Sequence, residues 1–105
     1  MAKSREQLRK SLLTNSEWNN LLLERAYKND KAGVVEALDY GADIKAVNSY
    51  GETALHNAAI NGDMTLTAIL IGRGADLTTK DKIGLTPEEW ATKNGHHRLM
   101  EIIIN

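Results

Sequence analysis

The residues of this chain that could do chemistry are few and scattered. Glu88 and Glu89 form an adjacent carboxylate pair, the raw material of general acid–base catalysis. His96 and His97 form an adjacent imidazole pair, a start on a metal site. His56 lies three residues after Thr53, within reach of its hydroxyl on one helical turn. Each has a plainer reading. Adjacent residues on a helix do not face one another, so neither pair converges on a single atom. Glu88 and Glu89 stand at a helix start, where the free amides and the helix dipole favour carboxylates. Nothing in the spacing brings a third ligand to His96 and His97. There is no Gly-rich phosphate loop and no nucleophile elbow. The sequence therefore predicts no catalytic residue, no cofactor and no metal, and a protein that is not an enzyme.

What positions these residues is a repeat. At an offset of 33 residues, Gly51 matches Gly84, Thr53 matches Thr86, and Ala58 matches Ala91. Asn61-Gly62 matches Asn94-Gly95, and Leu66 matches Leu99. The same offset runs backwards through Leu22/Leu55, Ala26/Ala59, Asp30/Asp63 and Gly41-Ala42-Asp43/Gly74-Ala75-Asp76. A fixed period of this size means stacked supersecondary units rather than one closed globule. The segment Gly51-Glu52-Thr53-Ala54-Leu55-His56-Asn57-Ala58-Ala59, with its Gly-Ala-Asp turns, resembles the ankyrin repeat family. The resemblance spans residues 19 to 105 and implies an all-α solenoid of helix pairs with short β-hairpin-like fingers. The expected units are about 19–47, 48–80 and 81–105, some two and a half repeats. Glu88 departs from the family pattern, which usually has Leu there, and implies a solvent-facing position in an end unit.

Local signals fill in the elements. Thr53 and Thr86 cap the first helices of their units, and Thr86-Pro87-Glu88-Glu89 completes a capping box with Pro at the first helical position. Gly62 and Gly95 end these helices, and Asn29 does so in the first unit. Second helices are expected over about Lys31 to Asp39, Met64 to Gly72 and Arg98 to Ile104. Residues 1–18 lie outside the repeat. They are read as an N-terminal amphipathic helix, about 4 to 13, followed by a linker into the first repeat helix at about 16 to 28. Leu8, Leu12 and Leu13 are expected to close the first unit as a lid. Arg25 occupies a column otherwise held by Ala58 and Ala91, and is expected to bond carbonyls or Glu17. His96 shares a column with Asp30 and Asp63, which suggests a His–Asp contact. The resemblance implies a structural role for His56, tying adjacent fingers together.

Composition narrows the partners. The net charge of −1 gives no field that favours nucleic acid or an anionic membrane. Cysteine is absent, which excludes disulfides and thiolate chemistry and fits a cytoplasmic, reducing setting; a nuclear or host-cell destination stays open. The expected partner is another protein. In the family, partners usually dock on the concave side, at the finger tips and the first helices. The matching finger positions are Ser49, Tyr50 and Glu52, then Lys82, Ile83 and Leu85. On the helices they are Tyr27 and Lys28, Ile60 and Asn61, Lys93 and Asn94. Tyr27, Tyr50, Ile60, Ile83 and Leu85 would form an exposed apolar cluster rimmed by polar groups, the anatomy of an interaction site. Two further readings accompany it. The basic N-terminal helix would tether an adaptor to a membrane or a second partner, and the open C-terminal edge, with Met100 and Ile102 to Ile104, would allow weak self-association of a monomer.

Overall fold

The computed structural model describes residues 3–104, apart from the side chains of Met100 and Ile104. Among them are seven helices: α1 (Arg5–Ser11), α2 (Asn15–Tyr27), α3 (Lys31–Asp39), α4 (Ala54–Asn61), α5 (Met64–Gly72), α6 (Pro87–Lys93) and α7 (His97–Ile104). They pair as α2/α3, α4/α5 and α6/α7, and the pairs stack: α2 lies against α4, α4 against α6, and α5 against α7. The result is an elongated body of 48 × 24 × 20 Å. The sequence expectation of stacked helix pairs is met, and the second helices of the first two units begin and end where the pattern put them.

Small residues set the spacing. Ala26, Ala54, Ala58, Ala59 and Ala91 are fully buried, and each lets helix backbones approach closely. Leu22, Val34, Leu55, Leu66 and Leu70 fill the layers between pairs. Burying one such side chain stabilises the fold by about 1.5–3 kcal/mol. The helix starts are capped as expected. Thr53 and Thr86 each accept the backbone N–H three residues on, and His56 and Glu89 reach back to the cap's own N–H. Gly62 needs its left-handed backbone (φ 71°), and a Cβ there would lie 2.6 Å from the His96 ring.

The N-terminal end differs from expectation. Leu8 and Leu12 are 50% and 81% exposed, so the leucine face does not close the first unit. Only Leu13 packs on the core. Trp18 closes that end instead: it is buried, stacked on Tyr40 at 4.9 Å, with Arg25 5.6 Å from its ring centre. α2 begins more than a turn earlier than the matching α4, and this extension carries Trp18. α1 is attached by polar contacts. The Lys10 ammonium donates to Glu36 at 2.6 Å, and the Trp18 indole donates to the Lys10 carbonyl at 3.3 Å. That bond from Lys10, against burial, holds the Glu36 carboxyl below its ordinary value. Arg25 does bond a carbonyl, that of Gly33 at 2.9 Å, but its carboxylate partner is Glu36 rather than Glu17. α3 brings Glu36 to the place where Lys10 and Arg25 share it.

Candidate functional site

Between the helix pairs the chain makes two tight fingers of the same design. In the first, the Asn48 carbonyl accepts the Gly51 N–H at 3.0 Å, and the Asn48 N–H donates to the Glu52 carbonyl at 2.9 Å. The Asn48 side-chain oxygen accepts the N–H of Tyr50 and of Glu52. In the second, Asp81 does all of this with Ile83, Gly84 and Leu85. An Asn or Asp whose side chain bonds backbone two residues on is the residue a tight turn favours. Among the described residues one backbone bond joins the fingers, from the Lys82 N–H to the Tyr50 carbonyl at 3.0 Å. Gly51 allows it, because a Cβ at that position would come within 3.0 Å of the Lys82 nitrogen, on a backbone with φ 75°.

His56 locks the second finger to α4. Its Nδ1 accepts the Thr53 N–H at 3.1 Å, and its Nε2 donates to the Leu85 carbonyl at 2.9 Å. An N–H can only donate and a carbonyl can only accept, so the ring carries its proton on Nε2. With both nitrogens engaged and no exposure, His56 is structural, as the resemblance implies. His96 corrects an expectation. It donates through Nε2 to the Ile60 carbonyl at 3.1 Å, not to Asp63. Asp63 is taken by the Asn29 amide at 2.8 Å and the Lys31 ammonium at 3.1 Å, so the side chain from the preceding unit reaches it first. Among the described residues, no three potential ligands are grouped to hold a metal.

The finger tips enclose the cleft of most interest. It has a volume of about 310 Å³ and is lined by Tyr50, Glu52, Asp81, Lys82, Ile83 and Trp90. Tyr50 and Ile83 are 71% and 69% exposed. Trp90 is fixed by a 2.6 Å bond from its indole N–H to Asp81 Oδ2, and Lys93 stands 5.2 Å from its ring centre. Burial alone would raise the Asp81 carboxyl, but the N–H groups of Trp90, Leu85 and Ile83 hold it below its ordinary value. Leu85 and Lys93 belong to a second, more open hollow with Glu88, Glu89 and Thr92.

Of the twelve positions expected on the binding surface, four therefore meet in one cleft and two in its neighbour. Tyr27, Lys28, Ser49, Asn61 and Asn94 lie at the surface but line neither. Ile60 and Leu85 are half-buried rather than free, since Asn94 and His96 cover the Ile60 backbone and His56 binds that of Leu85. Sequence reasoning missed Asp81 and Trp90 as site residues. The signals were there: Asp81 repeats Asn48, and Trp90 stands in a column otherwise held by Glu24 and Asn57.

The family description for ankyrin repeats (three copies) matches residues 22–105. Similar proteins include the potassium channel AKT3 of Oryza sativa subsp. japonica, 37% identical over 70 residues, which is 66% of this chain and 8% of the channel. Another is ARF GTPase-activating protein GIT2 of Mus musculus, 41% identical over 54 residues, 51% of this chain and 8% of that protein. Protein fem-1 homolog A of Bos taurus is 33% identical over 67 residues, 64% of this chain and 10% of that protein. The chain thus spans a tenth or less of each of these larger proteins. With the repeat written in the sequence, built as stacked helix pairs and matched over most of its length, the chain belongs to the ankyrin-repeat family, whose repeats are generally protein–protein interaction modules.

Proposed function

We propose that this chain is a non-enzymatic module that binds a partner protein through its finger tips and the adjoining first-helix surface. The observation that carries this reading is the pairing of Tyr50 with Ile83. Both are large, apolar and more than two-thirds exposed, and they share one cleft with a tryptophan held from behind. Apolar anchors around a pocket with a polar rim are the usual composition of an interface centre. Tyr27, exposed on α2, extends the surface toward the first unit. The test is affinity capture from the source cell with wild type and a Tyr50→Ser/Ile83→Ser variant, read by mass spectrometry. The variant should keep its thermal midpoint and lose the partners recovered by the wild type. A folded variant that recovers the same set would move the binding surface elsewhere.

A second reading rests on α1. Arg5, Leu8, Arg9 and Leu12 follow helical spacing on one exposed stripe, while Lys10 holds the opposite side to the body. Such a stripe would serve as a tether to an anionic membrane or a second partner. Among the described residues no helix is long and apolar enough to cross a membrane, so a tether would lie on the surface. Co-sedimentation with vesicles rich in anionic lipid, for wild type and Leu8→Ser/Leu12→Ser, tests the membrane form. Equal recovery of both in the supernatant would set it aside.

A further inference from the structure

The finger-tip cleft holds aromatic rings and unneutralised carboxylates side by side. Its ionisable lining is Glu52, Asp81 and Lys82. The hollow beside it adds Glu88, Glu89 and Lys93. Four carboxylates thus stand against two ammonium groups, and none of the six makes an ion pair among the described residues. Hydrogen bonds do not cancel this charge. The three N–H groups on Asp81 are neutral donors, and they favour its ionised form. Glu52 gives Oε1 to the Asn48 amide at 3.0 Å, and its Oε2 has no partner among the described residues. Glu52 is half-buried, so salt screens it less than a surface carboxylate. The charge balance of the cleft is complementary to a cation.

The rings favour the same sign of charge. A cation over an aromatic face is attracted by the negative face of the ring. The chain uses this attraction itself, with the Lys93 ammonium 5.2 Å from the Trp90 ring centre. Lys93 lines the neighbouring hollow and not the cleft. In the cleft Tyr50 is not stacked on Trp90, and its ring carries no cation among the described residues. Arginine suits this setting better than lysine. Its flat guanidinium stacks on aromatic faces, turns several donors to one carboxylate and is more weakly hydrated than an ammonium. We propose that the cleft receives an arginine side chain of another protein. The guanidinium lies over the Tyr50 ring and donates to Glu52 Oε2, and the aliphatic stem of the arginine lies against Ile83. This deepens the reading of the finger tips as the binding face, and rests on it.

The test starts from a random twelve-residue peptide library displayed on phage and selected on the whole chain. Enriched peptides should share an arginine. A synthetic peptide of that type, labelled and followed by anisotropy, should bind Glu52→Gln and Tyr50→Ser at least ten-fold more weakly than wild type. Glu52→Gln keeps the shape and the oxygen that serves the Asn48 amide, so it removes the charge alone. Melting curves establish that both variants fold. Citrulline in place of the peptide's arginine should cost at least ten-fold on wild type, and that peptide should bind Glu52→Gln and wild type alike. Lys82→Ala should tighten the arginine peptide. Binding should also shift tryptophan emission, since Trp90 lines the cleft while Trp18 is buried. Peptides that need Tyr50 and Ile83 but ignore Glu52, acidic ones included, would overturn the arginine and leave the finger-tip face standing. Peptides indifferent to Tyr50 and Ile83, or no enrichment at all, would overturn the cleft as an arginine site. Capture from cells with Tyr50→Ser/Ile83→Ser would then judge the finger-tip face by itself.

Discussion

At the scale of single residues, two buried polar side chains are handled in opposite ways. Asp81 is fully satisfied, with three N–H donors on its two oxygens. Its carboxyl lies below the ordinary 3.8 once folded. Its contribution to stability is therefore whole at neutral pH and is lost as the pH falls below about 4, through the folded value. Asp81→Asn keeps the oxygen that serves the turn, as Asn48 does, but sets an amide donor against the Trp90 indole N–H. We expect it to lower stability by about 1.5–3 kcal/mol at pH 7, with less difference from wild type at pH 3, measured by urea unfolding at both. Thr67 is the converse: fully buried in α5, with no hydrogen-bond partner for its hydroxyl among the described residues. Its period-mate in the first unit is Val34. Thr67→Val removes an unpaired polar group with little change of shape, and should stabilise by about 1 kcal/mol, raising the midpoint by about 4–8 °C in a thermal melt. An unchanged or lower midpoint would mean the hydroxyl has found a partner. His56 was legible from its place three residues after Thr53. The choice of Ile60 over Asp63 by His96 was not, because a backbone acceptor leaves no mark in a sequence.

At the scale of elements, the repeat wrote its own boundaries and the segment outside it did not. α3 and α5 were legible to the residue, because glycine stops and apolar columns recur with the period. α1 and the start of α2 have no period-mates. There the leucines of α1 suggested a buried face, yet Leu8 and Leu12 are exposed and Trp18 does the closing. A single tryptophan can cover what three leucines would, and burial by one large ring carries no periodic signal. The expected energetics follow. Leu8→Ser with Leu12→Ser should change stability by less than about 1 kcal/mol, as surface substitutions do. Trp18→Ala should cost about 3–5 kcal/mol, since it opens a large cavity and strands Tyr40 and Arg25. Truncation up to Arg9 should be mild, and truncation through Leu13 should be worse, because Lys10 and Leu13 hold α1 to the body. Chemical denaturation of the four proteins checks the order. If Leu8→Ser/Leu12→Ser proves as damaging as Trp18→Ala, α1 is a lid after all. The finger cleft was legible in four of its six lining residues: Tyr50, Glu52, Lys82 and Ile83 came from period and resemblance. Asp81 and Trp90 stood out in the period, but their bond to each other joins residues that no repeat column relates.

At the scale of the whole molecule, the stack is one-dimensional, so its two ends decide how it behaves among copies. Each inner unit is covered on both sides, and the central pair α4/α5 is buried accordingly. The N-terminal end is sealed by the stacked rings of Trp18 and Tyr40. The C-terminal end is sealed less well. Ala91, Leu99 and Ile103 turn inward and are buried. Ile102, Leu85 and Trp90 stay half-exposed, and Ile83 is exposed. The side chains of Met100 and Ile104, also expected on this edge, lie outside the described residues. Lys93, held over the Trp90 ring, covers part of the surface with its aliphatic stem. We propose that the remaining edge supports weak contact between copies. Light scattering should give the monomer mass at low concentration and a rising average mass as concentration reaches the millimolar range. Ile102→Lys should abolish the rise, because an ammonium at the edge repels its counterpart on a second copy. Lys93→Ala should strengthen it by uncovering Trp90. A mass that stays at the monomer value throughout would show that Lys93 and Trp90 close the end unaided. A rise unaffected by Ile102→Lys would place the contact at another surface, with the stripe of Leu8 and Leu12 on α1 next to test.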